Sequence, residues 1–225
     1  LMIKDIGNIL LGLLLLPFSI GFLWELGATL TSIAYEPLIP YWFVGGILIY
    51  LIVHFLFRQP ILAYVVGHEL THALFAVLFG GSVKAFHASE KGGQVQITKS
   101  NVIITLAPYF FPLYCFTALA GFWICRAAGW RSFEAWFVLL SGAAFAFHLV
   151  LTLIFLQTDQ NDIKEHGVFF SYPLILLFNV LLTALIIRLL LARDMSFPGY
   201  LQGGIVKGLG IYGSVFRAFA GLIST

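Results

Sequence analysis

The sequence predicts an all-α membrane protein with about six transmembrane helices and a small β-hairpin. Of its 225 residues, 60% are hydrophobic and only 10% are charged, whereas an average soluble chain is about 25% charged. The apolar segments are long and unbroken, which indicates helices and not the short alternating strands of a membrane barrel. A formal net charge of +2 is too small to indicate a nucleic-acid partner. The expected surroundings are therefore the lipid bilayer.

Six apolar segments have about the 20-residue length that a bilayer core requires. They cover residues 9–33, 41–57, 61–79, 102–125, 135–156 and 168–191. Pro108 and Pro112 lie four residues apart in the fourth segment and are expected to kink it. Residues 194–225 form a glycine-rich tail that is expected to lie on the membrane surface or to re-enter the membrane. Because no internal repeat is evident, residues 1–225 are expected to form a single membrane domain.

The distribution of basic residues predicts an orientation. With six spans, the side that holds the N-terminus carries more basic residues than the other side, namely Lys4, Arg58, Arg126, Arg131 and Arg193 against Lys84, Lys91, Lys99 and Lys164. The positive-inside rule then places both termini in the cytoplasm. The compactness of the chain favours a bacterial inner membrane.

The stretch between the third and fourth segments differs in pattern from its neighbours. Residues 94–99 alternate between polar and apolar, and Gly92-Gly93 is a turn signal between two such runs. This pattern predicts a β-hairpin at the membrane surface, with a solvated loop as the alternative. The exposed edge of such a hairpin can pair with an extended peptide. Val95 and Ile97 are therefore candidate substrate-binding residues.

The third segment carries His68-Glu69-Leu70-Thr71-His72. Polar groups inside an apolar span are costly and usually functional. Residues four apart share one helix face, so His68 and His72 can ligate one metal ion, and HExxH is a zinc-protease signature. Zinc lowers the pKa of its bound water from about 15.7 to near 7, and Glu69 is the candidate general base. The alternative is a buried polar cluster without a metal.

A catalytic zinc site usually has three protein ligands and one open position. The densest group of acidic and amide residues outside the motif is the stretch 157–162, which contains Asp159 and Asp162. We favour Asp162 as the third ligand and keep Asp159 as the alternative; an ordinary loop carboxylate is the other reading of each. His148, in the fifth segment, is a candidate ligand, an outer-shell donor or a helix–helix hydrogen bond, and we favour the last.

Three short runs together resemble a known family. They are the run 67–73 around the motif, Leu78-Phe79-Gly80-Gly81 after it, and Leu106-Ala107-Pro108. The chain resembles the site-2 protease family of intramembrane zinc metalloproteases, in its compact branch without a PDZ domain.

The resemblance implies one Zn²⁺ ion on His68, His72 and a later aspartate, with Glu69 as base. It also implies a metalloprotease core of about residues 60–192 that cleaves a membrane-anchored protein in or near its transmembrane segment. Many family members have a glycine after the aspartate, whereas neither Asp159 nor Asp162 is followed by one.

Two other functions fit parts of the pattern. One is a catalytically inactive, site-2-protease-like membrane scaffold or metal-binding protein. The other is a transporter or channel with a buried polar cluster. A scaffold has no need of a general base, so Glu69 favours the enzyme, and the absence of paired broken-helix repeats disfavours a transporter.

Overall fold

The structure, a computed structural model, describes the backbone of residues 2–57 and 59–223. It is 78% helical and contains one small antiparallel sheet. The helices are α1 (Met2–Ser32), α2 (Ile39–Leu56), α3 (Ile61–Leu78), α4 (Val102–Phe110), α5 (Leu113–Ala127), α6 (Arg131–Phe155), α7 (Asn161–His166), α8 (Val168–Ile186, extended by a π-helical turn Ile187–Leu191) and α9 (Phe197–Ile223). The strands are β1 (Val83–Ser89) and β2 (Gly92–Ile97). The predicted helical membrane fold with one hairpin is confirmed at this level.

Six of the described helices are long and apolar enough to cross a membrane: α1, α2, α3, α6, α8 with its π-helical turn, and α9. Five of them match predicted segments. The fourth predicted segment is not one helix, because α4 and α5 are bent by 72° at a short break. The segment is therefore broken into two helices, where only a kink was expected. Its cause is Pro112, which has no N–H to donate and forces Phe111 into an extended conformation with φ −97° and ψ 105°.

The placement of the C-terminal tail on the membrane surface or as a re-entrant segment stays a prediction, and the structure shows that the tail is helical. It forms the 27-residue helix α9. Gly204 and Gly208 are packing positions, since a Cβ built on Gly204 would lie 2.3 Å from the Phe22 ring and one on Gly21 of α1 would lie 2.4 Å from the Gly208 backbone. Small residues allow membrane helices to approach closely. The cytoplasmic placement of the termini and the bacterial inner membrane stay predictions.

The chain forms two compact units, residues 1–35 with 163–225 and residues 36–162. In the first unit, α1 packs against α8 and α9, and Lys207 Nζ lies 2.8 Å from Glu25 Oε2. The second unit contains α2 to α6 and the hairpin. The single domain of residues 1–225 and the core of residues 60–192 stay predictions.

Within the second unit, α2 and α6 pack with their backbones nearly in contact. A Cβ on Gly46 would lie 1.9 Å from the Leu139 carbonyl oxygen, and one on Gly142 would lie 2.0 Å from the Phe43 carbonyl oxygen. No larger side chain fits at either position unless the helices separate. In the same unit α6 packs on α5, and α3 packs on α4 and on the hairpin. These contacts hold α3, which carries the histidine motif.

The one irregularity in the register of the hairpin lies in β1, so β2 is a regular strand. Phe86 pairs with Val95 and His87 with Gln94, and the register shifts between Val83 and Ala85. The Thr98 N–H donates to the Ser82 carbonyl at 3.0 Å. Because backbone groups alternate between the two edges of an antiparallel strand, Gln94 and Gln96 direct theirs toward β1. Gly93, Val95 and Ile97 direct theirs toward the opposite edge.

The close approach of α2 and α6 gives a stability prediction with a control in the neighbouring residue. Gly46→Ala should destabilise the protein by about 1–3 kcal/mol through overpacking. Gly45→Ala should be neutral or stabilising, because nothing lies within 4 Å of a Cβ built there. Thermal unfolding of the two purified variants in one detergent checks this. Equal unfolding midpoints would contradict the packing described.

Candidate metal centre

Helix α3 presents His68 and His72 on one face, with ring centroids 4.9 Å apart. Thr71, which lies between them, donates to the Gly67 carbonyl at 2.7 Å. Thr71 is therefore satisfied within its own helix. The two imidazoles, in contrast, require hydrogen-bond partners from other elements.

Asp162, at the start of α7, is a shared partner of the two imidazoles. Its Oδ2 lies 3.3 Å from His68 Nε2 and 3.5 Å from His72 Nε2. One ligand atom from each of His68, His72 and Asp162 lies within 4.8 Å of the others. Asp159 is exposed and is not part of this cluster among the described residues. Of the two predicted third ligands, the structure brings Asp162 to the histidines.

The cluster fits a zinc ion. Two ligands at about 2.0–2.1 Å from a tetrahedral zinc are about 3.3 Å from each other, close to both Nε2–Oδ2 distances. His72 Nδ1 lies 2.8 Å from the Ile104 carbonyl oxygen. A carbonyl only accepts, so His72 Nδ1 carries a proton, and in the neutral ring the Nε2 lone pair faces Asp162. A cation stabilises a lone pair and a carboxylate oxygen that face each other in this way.

Tyr109 also contacts the carboxylate. Its hydroxyl donates to Asp162 Oδ2 at 3.0 Å and lies 3.2 Å from Gln160 Oε1. Its ring, which is fully buried, meets the His68 ring edge-on at a centroid distance of 5.1 Å. Sequence reasoning missed Tyr109, because a tyrosine in an apolar segment carries no spacing signal that links it to a distant aspartate.

The environment keeps Asp162 ionised. Burial alone would raise the pKa of its carboxyl group, but His68 and His72, which donate hydrogen bonds to it and carry positive charge when protonated, outweigh burial and hold the pKa well below its usual range. An ionised carboxylate is the form that binds a metal.

Glu69 lies beside the hairpin. A Cβ on Gly93 would come within 2.6 Å of Glu69 Cγ and 2.7 Å of Val65 Cγ1, so only glycine allows the strand this close. The Val95 backbone reaches the Glu69 carboxylate by a hydrogen bond. The sequence assigned Gly93 only a turn role, because contact between a strand and a helix has no local signal.

Glu69 and His68 open onto a common cavity. The cavity has a volume of about 260 Å³, and its wall is completed by the hairpin turn, the end of α6 and the segment after α6, through Lys91, Gly92, Phe155 and Gln160. Glu69 therefore has space beside it for water or for a peptide. Val95 is half-buried next to Glu69, and Ile97 lies two residues further along the same strand edge.

His148 is buried in α6. It lines a small cavity of about 20 Å³ together with His68, Thr71 and Tyr114. Among the described residues the metal cluster comprises His68, His72 and Asp162, so His148 lies near the centre without belonging to it.

Comparisons of the chain with protein-family models, curated proteins and solved structures find no match. A function for this site therefore has to be argued from the chemistry and the geometry of its own residues.

The Tyr109 hydroxyl gives a stability prediction for the metal-free protein. Tyr109→Phe should cost about 1.5–3 kcal/mol, the range for a hydrogen bond to a charged group. Tyr114→Phe is the matched control, because its hydroxyl donates to the neutral Ala63 carbonyl at 2.8 Å and should cost about 0.5–1.5 kcal/mol. Denaturant unfolding in the presence of a chelator measures both. A smaller effect at Tyr109 than at Tyr114 would contradict the assigned contact.

Proposed function

We propose that this protein is an intramembrane zinc metalloendopeptidase that hydrolyses peptide bonds in or near the transmembrane segment of a membrane-anchored protein. The observation that supports it best is the convergence of His68, His72 and Asp162 next to the buried carboxylate of Glu69. Two of these ligands and Glu69 lie on α3, a helix long and apolar enough to cross a membrane.

In this proposal His68 Nε2, His72 Nε2 and Asp162 Oδ2 hold the zinc ion. Three protein ligands with one open position are the pattern of catalytic zinc, whereas structural sites use four. A bound zinc ion supplies Lewis acidity, which makes water a nucleophile at neutral pH and polarises the substrate carbonyl. The ligand set on this chain is two imidazoles and one carboxylate, a combination that zinc hydrolases use.

Glu69 is the proposed general base. Its carboxylate borders the 260 Å³ cavity that His68 also lines, so a water molecule there is within its reach. Glu69 takes a proton from the water as the new C–O bond forms, and passes it to the departing amine nitrogen as the C–N bond breaks. Gly93 packs against its methylene group, and Val65 lines the same cavity.

A substrate helix must unwind before its peptide bond can be cut. An unpaired backbone group costs several kcal/mol in hydrocarbon, so the extended strand needs partners from the protein. The outer edge of β2, with the backbone groups of Gly93, Val95 and Ile97, is next to Glu69 through Val95. We therefore propose that the substrate adds to this edge as a further β-strand.

The enzyme proposal is tested by separating metal binding from cleavage. Glu69→Gln should keep about one zinc ion per chain but lose cleavage of a membrane-anchored substrate by at least about 100-fold, the usual contribution of general base catalysis. Metal analysis and a cleavage assay in proteoliposomes provide the two readouts. Wild-type protein that holds no zinc under zinc-replete conditions refutes the proposal, and full cleavage by Glu69→Gln refutes the role of the base.

The third ligand has its own test. Asp162→Asn should weaken zinc binding strongly, since an amide oxygen is a poor replacement for a carboxylate. Asp159→Asn, three residues earlier, is the matched control and should bind zinc as wild type does. Competition with a chromogenic chelator gives both affinities. If Asp162→Asn retains full affinity and Asp159→Asn does not, the ligand is Asp159.

The hairpin edge is tested by proline substitution. Val95→Pro removes the N–H at the outer edge of β2 and should abolish most cleavage while zinc stays bound. Ile97→Pro changes the same edge two residues away from the Glu69 contact. Loss of cleavage in this variant would therefore come from the lost substrate strand and not from a disturbed Glu69. Phe86→Pro, at the opposite edge of the hairpin and paired with Val95, is the control that should still cleave. Unchanged turnover in Val95→Pro contradicts the role of the edge.

A further inference from the structure

Pro108 lies inside α4, four residues after Ile104. In an α-helix the N–H of each residue donates to the carbonyl four residues earlier. Proline has no N–H, so the Ile104 carbonyl lacks its helical donor. Ile104 and Pro108 are both buried, and a buried carbonyl requires a partner.

That partner is His72. The Ile104 carbonyl oxygen lies 2.8 Å from His72 Nδ1, in a buried contact between α4 and α3. Since the carbonyl accepts, His72 donates, and the ring is fixed as the tautomer with the proton on Nδ1. In the neutral ring the Nε2 lone pair then faces Asp162 Oδ2 at 3.5 Å.

The peptide that carries this carbonyl is held from its other side as well. The N–H of that peptide group, on Thr105, donates to the Asn101 carbonyl at 2.9 Å, and the Ile104 N–H donates to the side chain of Asn101, the N-cap of α4, at 2.9 Å. The bend after α4 occurs beyond Pro108, at Phe111 and Pro112, and α4 continues through Pro108 with the Phe111 N–H donating to the Ala107 carbonyl at 2.8 Å. Pro108 is therefore not what separates α4 from α5.

We propose that Pro108 is a positioning residue for the metal centre. By withholding an N–H from α4 it leaves the Ile104 carbonyl free, and that carbonyl sets both the orientation and the tautomer of His72. The inference rests on the proposed zinc site. Neither the helix propensity of proline nor the bend between α4 and α5 accounts for a proline at this position, whereas a role in positioning His72 does. Partners of this kind on ligating histidines orient the ring and raise metal affinity.

The test is Pro108→Ala, which restores an N–H that competes for the Ile104 carbonyl. We expect zinc to bind about tenfold more weakly, the lower end of the effect of outer-shell substitutions. In metal-free protein with ¹⁵N-labelled histidine, the spectrum of His72 should show a growing population protonated on Nε2. The unfolding midpoint should stay the same or rise, because alanine favours a helix and proline disfavours it. If Pro108 had only a structural role, Pro108→Ala would not weaken zinc binding while the unfolding midpoint stays the same or rises.

Pro17→Ala is the matched control, since Pro17 also lies inside a helix, α1, and its replacement should leave zinc affinity and the His72 tautomer unchanged. Pro108→Gly restores the same N–H without a side chain and replaces Pro108→Ala if that variant does not fold. Wild-type zinc affinity together with an unchanged His72 spectrum in either Pro108 variant overturns the inference. A wild type that binds no zinc overturns the proposed function instead, and the His72 spectrum of the metal-free protein still decides the role of Pro108.

Discussion

Three polar groups meet at one carboxylate oxygen. His68 Nε2, His72 Nε2 and the Tyr109 hydroxyl all lie between 3.0 and 3.5 Å from Asp162 Oδ2. Hydrocarbon supplies no hydrogen bonds, so polar side chains on an apolar helix need protein partners or a metal. Asp162 supplies that partner to both histidines. The positions of α3, α4 and the start of α7 are constrained together by this one oxygen.

The short helix α4 contributes to the centre through two different groups. Its Ile104 carbonyl accepts from His72, and its Tyr109 hydroxyl donates to Asp162. Residues 104–110 of α4 are all buried, and the break at Pro112 gives α4 a direction of its own, 72° from that of α5. The hairpin meets α3 at Glu69, where Gly93 permits a close contact. The two histidines and Glu69 thus receive support from different elements.

The sequence predicted the parts of the site that follow from local spacing. His68, Glu69 and His72 share one helix, so their relation depends only on helical period. The hairpin followed from alternation and from Gly92-Gly93, although the turn itself is Glu90-Lys91 and both glycines lie in β2. Asp162 and Asp159 were harder to separate, because the choice between them depends on where the chain turns into α7, and both lie in the same polar stretch.

Other features depend on contacts between distant segments. Tyr109 and Gly93 act on residues far away in the sequence, and no periodicity marks them. The C-terminal glycines are typical of irregular structure, yet in α9 Gly204 and Gly208 allow contact with Phe22 and Gly21 of α1. The fourth apolar segment had the length of a span, but the effect of Pro112 on the backbone exceeded a kink. The hydropathy of a segment indicates whether it is long enough to be a span, but it does not indicate where helices contact each other.

X-ray absorption at the zinc edge tests the central claim most directly, because it reads the ligands of a bound ion. The zinc-loaded protein should hold one ion with nitrogen and oxygen ligands at about 2.0–2.1 Å and with the multiple-scattering pattern of two imidazoles. Sulfur ligands, a single imidazole or no stoichiometric zinc would contradict a centre built from His68, His72 and Asp162.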